Sequence, residues 1–376
     1  MSLTDRLLDD IRRSGPLTVA AFMERALYDP RDGYYTSSAQ RSGRDGDFYT
    51  SVDAGPLFGQ LLAELVFRLW ALERPATFDL VEAGAGNGRL TRDILDALGT
   101  EHPECHACLR VTLVERSVPA REQHAAQLAA HRDCMLRSVP ELPTAFDGLL
   151  VANELLDAMP AHRVTMTSAG LREVYVGERS GQLGLEVGPL SDPELEAYFV
   201  RAGVVLPPGA VADVSPAAVA WAATAARSLT RGALLLVDYG YPAAELFSAH
   251  HPDGTLVSYA RHRVDAPGAG ADTSRRPAWL LSPGERDLTT HVDFTSVARA
   301  AEGHGARQQC LLDQTRFLLG LGLVERFATA GGSGVGDVRW RLAAKSLVGP
   351  QGLGGSHKAL LLTKGVPAGA ALLQQP

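Results

Sequence analysis

The run Val81-Glu82-Ala83-Gly84-Ala85-Gly86-Asn87-Gly88-Arg89-Leu90 limits the fold more than any other stretch of the chain. A short apolar segment, 78–81, precedes it, and a helix-patterned segment, 90–98, follows. This order predicts strand, glycine loop, helix. Three glycines at alternate positions let the backbone turn tightly and come close to a ligand that a Cβ would hold off. The helix start behind them offers N–H groups with no intrahelical partner. The loop therefore reads as a nucleotide cradle. A tight turn with no ligand is the competing reading, but alternating glycines weaken a fold without any packing gain.

The spacing says which nucleotide. A dinucleotide fingerprint is G-x-G-x-x-G with an acid about 20 residues further on. Here the glycines fall as G-x-G-x-G, Glu82 stands before them, and the next strand, 110–114, ends in Glu115. An acid at the end of a second strand can accept hydrogen bonds from both ribose hydroxyls. An acid ahead of the loop can face a cation, such as the amino group or sulfonium of S-adenosylmethionine. The pattern fits that cofactor better than NAD.

Strand-like and helix-like segments alternate along the 376 residues. Strands are expected at 78–82, 110–115, 134–137, 147–152, 233–238, 307–312 and 358–363. Helices are expected at 90–98, from Ser117 as cap through 130, from Ser215-Pro216, and at 294–304 behind Asp293 as cap. The continuously apolar Ala233-Leu234-Leu235-Leu236-Val237 is typical of a parallel strand covered on both faces. The fold class is α/β, a doubly wound Rossmann-like sheet with ligand at the carboxyl ends of its strands.

Six regions follow from this pattern. Residues 1–75 form an N-terminal helical, substrate-side region, whose segment 56–72 is strongly amphipathic. That helix reads as packed on its own core, with a dimer face as the second reading. Residues 76–160 form the cofactor half of the sheet. Residues 161–232 are an insert of hairpin plus helix, 233–312 the second half of the sheet, 313–357 a helical insert with a glycine-rich loop at 331–336, and 358–376 a last strand and tail. Residues 267–283 read as a surface loop.

A net charge of −7 with no long basic run disfavours nucleic acid as an obligatory partner. No apolar stretch reaches the ~20 residues that span a bilayer, and the first 15 residues lack a secretory core segment. A cytoplasmic protein is the expectation, with oligomeric state left open. The four cysteines include Cys105 and Cys108 near His102, but no second C-x-x-C pair completes a zinc set, so no metal is expected. His291, just ahead of a helix cap, reads as structural before catalytic.

Five stretches together resemble the MidA family of class I S-adenosylmethionine-dependent methyltransferases, which includes the mitochondrial complex I assembly arginine methyltransferase. They are GDFYTSVDAGPLFG at 46–59, EAGAGNGRL at 82–90, NELLDAMP at 153–160, VDYG at 237–240 and DLTTHVDF at 287–294. LYDP at 27–30, GYY at 33–35 and the segment 314–322 also fit, so the resemblance runs nearly the whole length in order. The chain departs from the family at Ala85, where proline is usual, and at Leu155 and Leu156, where aromatics are common. It departs again at Val52 and Asp53, and at Gly354-Gly355-Ser356-His357-Lys358, where the family is more apolar. These departures bear on the acceptor more than on the cofactor.

The resemblance implies a seven-stranded class I sheet, S-adenosylmethionine as cofactor, and methylation of a protein arginine, with a respiratory complex subunit as acceptor. It implies that Gly84, Gly86 and Gly88 approach the methionine part, Glu115 holds the ribose and Glu82 neutralises the donor's positive end. Ser138 and Val139 would touch the adenine. Asn153, which borders the cofactor, would shape the acceptor site with Glu154 and Asp157, while Asp47 closes over it. Carboxylates suit a guanidinium acceptor because planar pairs bind it in two places at once. Methylation of a small molecule or another protein, a non-catalytic cofactor-binding assembly factor, and an NAD-dependent oxidoreductase remain the alternatives.

Overall fold

The computed structural model describes residues 1–36, 50–134, 137–260, 263–265, 276–329, 335–349, 352–367 and 371–374. Asp47, most of the 267–283 segment and most of the 331–336 loop lie outside the described residues.

The central sheet contains β1 (Phe78–Ala83), β2 (Leu109–Val114), β3 (Arg137–Val139), β4 (Phe146–Asn153), β5 (Leu229–Tyr241), β6 (Arg307–Asp313) and β7 (His357–Lys364). Their spatial order is β6-β7-β5-β4-β1-β2-β3. β1 to β5 pair in parallel, and β7 runs antiparallel to both of its neighbours. The seven expected strands are joined by an eighth of two residues, Val292–Asp293, which pairs with the end of β5. From β1 the chain winds outward to β2 and β3, then returns to β4 on the other side. That reversal opens a crevice at the carboxyl ends of β1 and β4.

Among the helices that frame this sheet and its additions are α1 (Leu3–Ser14), α2 (Val19–Tyr28), α3 (Leu57–Ala71), α4 (Arg89–Glu101), α5 (Val118–Gln127), α6 (Pro216–Ser228) and α7 (Phe294–Glu302). The apolar run of β5 is divided between two cores. Leu235 and Val237 pack with Leu149, Val151, α3 and α4. Leu234 and Leu236 pack with Leu150, Ala152, α6 and α7 on the opposite face. Every residue of the run is therefore buried, as its composition requires.

The N-terminal helices join the insert instead of the main sheet. Leu17 and Thr18 pair antiparallel with Val176 and Tyr175 of the strand Gly170–Arg179. Leu7, Phe22, Met23 and Leu27 pack with Val174, Leu183 and Leu185. Trp279 completes this third core, 1% exposed and 5.7 Å from the Phe22 ring. Residues 276–283 are thus no surface loop. A lone tryptophan among turn residues shows no periodicity by which its burial could be read.

Two local expectations shift. Among the described residues the third strand covers Arg137–Val139, paired with Thr112 to Val114; Cys134 closes a turn, its N–H donating to the His131 carbonyl at 3.0 Å. Ser117 stands at the N-cap of α5 but its hydroxyl caps nothing and has no partner among the described residues. Among the described residues no helix is long and apolar enough to cross a membrane.

Candidate active site

The donor end of the crevice is made by backbone. After Ala83 the chain turns through Gly84, Gly86 and Gly88 with φ of 70°, 52° and 85°. The Gly86 N–H donates to Glu115 Oε2 at 2.9 Å, and the Ser117 N–H donates to Oε1 at 2.7 Å. Burial lifts the Glu115 carboxyl above its ordinary range despite these donors. Each oxygen retains a lone pair, so the group can still accept from two ribose hydroxyls.

Gly86 and Gly88 do different things. A Cβ on Gly86 meets nothing within 4 Å and stands in the open crevice; one on Gly88 meets Leu113 Cδ1 at 3.3 Å and His124 Cδ2 at 3.4 Å. The first leaves room for a ligand, the second for a neighbouring helix. His124, buried on α5, clamps the loop: its Nε2–H donates to the Gly86 carbonyl at 2.8 Å. Nδ1 then accepts from Ser138 Oγ at 2.9 Å. Ser138 therefore supports the loop through His124, and Pro140 borders the crevice where Ser138 and Val139 were expected.

Glu82 lies behind the loop, accepting from the Thr91 N–H at 3.1 Å and from the Thr91 hydroxyl. Burial pushes its carboxyl up to about 8 against those hydrogen bonds. A bound cation is what would favour its charged form. Arg89, the first residue of α4, reaches the Asp53 carboxylate, which also accepts from Thr50 N–H and Oγ1 at 3.0 Å. Segment 50–54 is thereby tied to the glycine loop.

The acceptor end is made by side chains from distant parts of the chain. The crevice, about 590 Å³, continues from Gly84, Gly86, Glu115 and Asn153 to Glu154, Asp157 and Asp287, with Tyr28, Tyr35, Tyr239 and Tyr259 as walls. Its volume suits a nucleoside-sized ligand with a second group beside it. Glu154 adopts φ 49°, a left-handed conformation that few non-glycine residues hold. Its N–H donates to the Val237 carbonyl at 2.8 Å, and its Oε1 accepts from the Ser51 N–H at 3.1 Å and from Asn153 Nδ2 at 3.2 Å. Asn153 Oδ1 is buried with no hydrogen-bond partner among the described residues.

Asp238 holds the turn that carries Glu154 and Asp157. Its Oδ2 accepts from the N–H groups of Leu155, Leu156 and Asp157 at 3.1, 2.8 and 3.3 Å. This is the reason for the VDYG segment: an acid at the end of β5 organises the loop after β4. Asp157 is 5% exposed, and burial together with Asp238, Asp287 and Glu154 pushes its carboxyl well above the ordinary range. Asp287 accepts from Tyr35 OH at 2.8 Å.

Of the residues singled out by sequence, Glu82, Gly84, Gly86, Glu115, Asn153, Glu154 and Asp157 meet in the crevice, while Gly88, Ser138 and Val139 do not border it. Asp47 lies outside the described residues. His291 faces Tyr241 and His251 away from the crevice, and burial lowers it to about 4. Sequence reasoning gave no role to Asp287, His124 and the four tyrosines; Asp287, Tyr28, Tyr35 and Tyr239 stood in quoted segments, but His291 drew the attention. The cysteines are free thiols, and burial pushes Cys105 up to about 12. Among the described residues no three His, Cys, Asp or Glu are grouped to hold a metal.

A doubly wound sheet, a glycine loop open at Gly86 and an acid at the end of β2 define a class I, Rossmann-like S-adenosylmethionine-binding protein. The chain belongs to a family of S-adenosyl-L-methionine-dependent methyltransferases, whose model matches residues 61–311. It is 29% identical over 349 residues to the mouse mitochondrial protein arginine methyltransferase NDUFAF7, covering 84% of this chain and 73% of that protein. The cattle protein of the same name is 30% identical over 353 residues, covering 84% and 72%. A superfamily member from Burkholderia thailandensis, solved bound to S-adenosyl-homocysteine, superposes with a TM-score of 0.85. It is 29% identical, covering 98% of this chain and 94% of that one. The chain is thus a methyltransferase with S-adenosylmethionine as its cofactor. The expectation of a cytoplasmic protein is corrected: the curated relatives are named as mitochondrial. Composition and the lack of a long apolar run report folding and membrane crossing, not cellular address.

Proposed function

We propose that this methyltransferase acts on a protein arginine. One observation carries the reading: the crevice ends in three carboxylates, Glu154, Asp157 and Asp287, between tyrosine faces. Among the described residues the two cationic side chains bordering it are already engaged, Arg89 by Asp53 and Arg116 by Glu24 at 2.6 Å. Negative charge next to aromatic faces favours a planar cation. The names of the NDUFAF7 relatives support the same acceptor. A respiratory complex subunit is the finer proposal, resting on the family resemblance.

In this proposal the open cradle at Gly86, Glu115, Glu82 and the unpartnered Asn153 Oδ1 hold the cofactor, which supplies an electrophilic methyl group when bound. Glu154 and Asp287 orient the guanidinium so that one nitrogen points along the crevice. A cation at this end reverses the pressure on Asp157 and leaves it ionised. Asp157 then accepts the proton that the acceptor nitrogen loses as its new N–C bond forms. The N-terminal helices, through Tyr28 and Tyr35, close the acceptor side and exclude water.

The test is the full chain with S-adenosylmethionine and a Gly-Arg repeat peptide, read by mass spectrometry. Methylation on arginine is expected, and Glu154→Gln should lower turnover roughly tenfold or more with cofactor affinity unchanged. Methyl groups found only on other residues, or full turnover in Glu154→Gln, overturn the reading. The same readout on purified respiratory complex tests the finer proposal.

A further inference from the structure

The carboxyl group of Glu154 has a neighbour to which the reaction assigns no task. His357 opens β7 beside Tyr239 of β5, with ring centroids 3.9 Å apart. The side chain is wholly buried. Its Nδ1 lies 3.0 Å from the Leu353 carbonyl, which only accepts, so Nδ1 carries a hydrogen. Ser356 Oγ lies 3.2 Å from Nδ1 and donates to that same carbonyl at 3.3 Å. Nε2 is the free end. It faces Glu154 Oε1 at 3.5 Å and has no hydrogen-bond partner among the described residues.

A neutral Nε2 opposite an ionised carboxylate sets two electron pairs against each other where little water screens them. One proton shared by the pair turns that repulsion into attraction. We propose that His357 is a positioning residue for methyl transfer: its Nε2 carries a proton that pins Glu154, so the acceptor pocket meets its ligand with this carboxylate charged and fixed.

The surroundings agree. Asp238 and Tyr239 face the histidine from β5, Glu154 from the turn after β4, and Ser356 from the loop before β7. Burial and the Glu154 charge raise Asp238, and a positive His357 works in the opposite sense. Glu154 also raises Asp157. A cation at His357 therefore lets a crowded group of acids keep the negative charge that a cationic acceptor needs.

This inference rests on Glu154 being an acceptor-site carboxylate, and the experiment separates the two. In the full chain labelled with ¹⁵N-histidine, long-range ¹H–¹⁵N spectra at pH 7 should show His357 protonated on both nitrogens. In Glu154→Gln it should become neutral with hydrogen on Nδ1. A neutral ring in the unaltered chain, or a cationic ring that Glu154→Gln leaves unchanged, overturns the proposal. With the Gly-Arg peptide as probe, His357→Phe should lower kcat roughly tenfold, the weight of one charge-assisted hydrogen bond. The acidic limb of its pH profile should move upward, because Asp238 and its neighbour Asp157, already raised, lose the opposing positive charge, while the Kd for S-adenosylhomocysteine stays put. An unmoved profile in a folded His357→Phe overturns the proposal. If that variant does not fold, or if the unaltered chain leaves the peptide unmethylated (which sinks the arginine reading alone), the spectra decide.

Discussion

Along the donor end of the crevice, sequence-local backbone makes the site. Gly84 to Arg89 and the end of β2 supply it, and a short hydrogen bond from Gly86 to Glu115 links the two. At the acceptor end, Tyr28, Tyr35, Glu154, Asp157, Tyr239, Tyr259 and Asp287 come from five separated segments. The difference teaches where specificity can change. A backbone cradle tolerates little variation, because its shape depends on left-handed glycines. A wall of side chains can be rebuilt one residue at a time. Of the departures from the family, Leu155, Leu156 and His357 fall on this second wall or behind it, while Ala85, in the glycine loop, changes a side chain and leaves the left-handed glycines in place.

Five changes sharpen or break this division. Asp238→Ala has the largest expected effect: three turn N–H groups lose their acceptor, costing about 4 kcal/mol of stability in chemical denaturation. Acceptor turnover should collapse with it, and a variant of unaltered stability would show that the acceptor wall holds itself. Glu115→Ala should weaken S-adenosylmethionine binding in calorimetry ten- to a hundredfold, about 1.5–3 kcal/mol, with a smaller loss of stability than Asp238→Ala because two N–H groups, of Gly86 and Ser117, lose their acceptor.

Glu82→Gln tests the charge behind the loop. Because the folded-state value of Glu82 lies near 8, above the ordinary 4.5, the folded chain favours the neutral acid. That stabilisation is full below about pH 4.5 and is lost as pH rises toward 8. The neutral variant should therefore gain about 2 kcal/mol relative to the unaltered chain between pH 6 and pH 8. Parallel stability curves would contradict the assignment. The smallest effects separate two glycines. Gly86→Ala should lose about 1 kcal/mol to backbone strain and roughly tenfold in cofactor affinity. Gly88→Ala should lose stability against Leu113 and His124 with affinity less altered. Equal losses of affinity would erase the distinction drawn between them.

The sheet was legible because its signals are local. A strand buried on both faces must be apolar throughout, as 233–237 is, and a glycine loop between strand and helix has few other uses. Glu115 was legible for a related reason: the end of a strand next to a glycine loop is a fixed place in this topology. The strand at 137–139 was expected at 134–137; Cys134 lies instead in a turn closed by its hydrogen bond to the His131 carbonyl. His291 drew notice as a titratable group in a quoted segment, yet chain direction through Val292–Asp293 turns it away and delivers Asp287 instead.

By itself, then, the order of residues determined the parallel sheet, the glycine cradle and the kind of cofactor, since each depends on neighbours within a few positions. Only the tertiary structure decided which acids share the acceptor pocket, that Asp238 binds the turn after β4, and that His124 and Ser138 brace the loop. It also decided that His357 faces Glu154. Those relations join residues tens to hundreds of positions apart, and they arise when β7 and β5 pair and the N-terminal helices settle on the insert. No local pattern encodes them, because side-chain contacts between distant segments exist only after the backbone has closed around them.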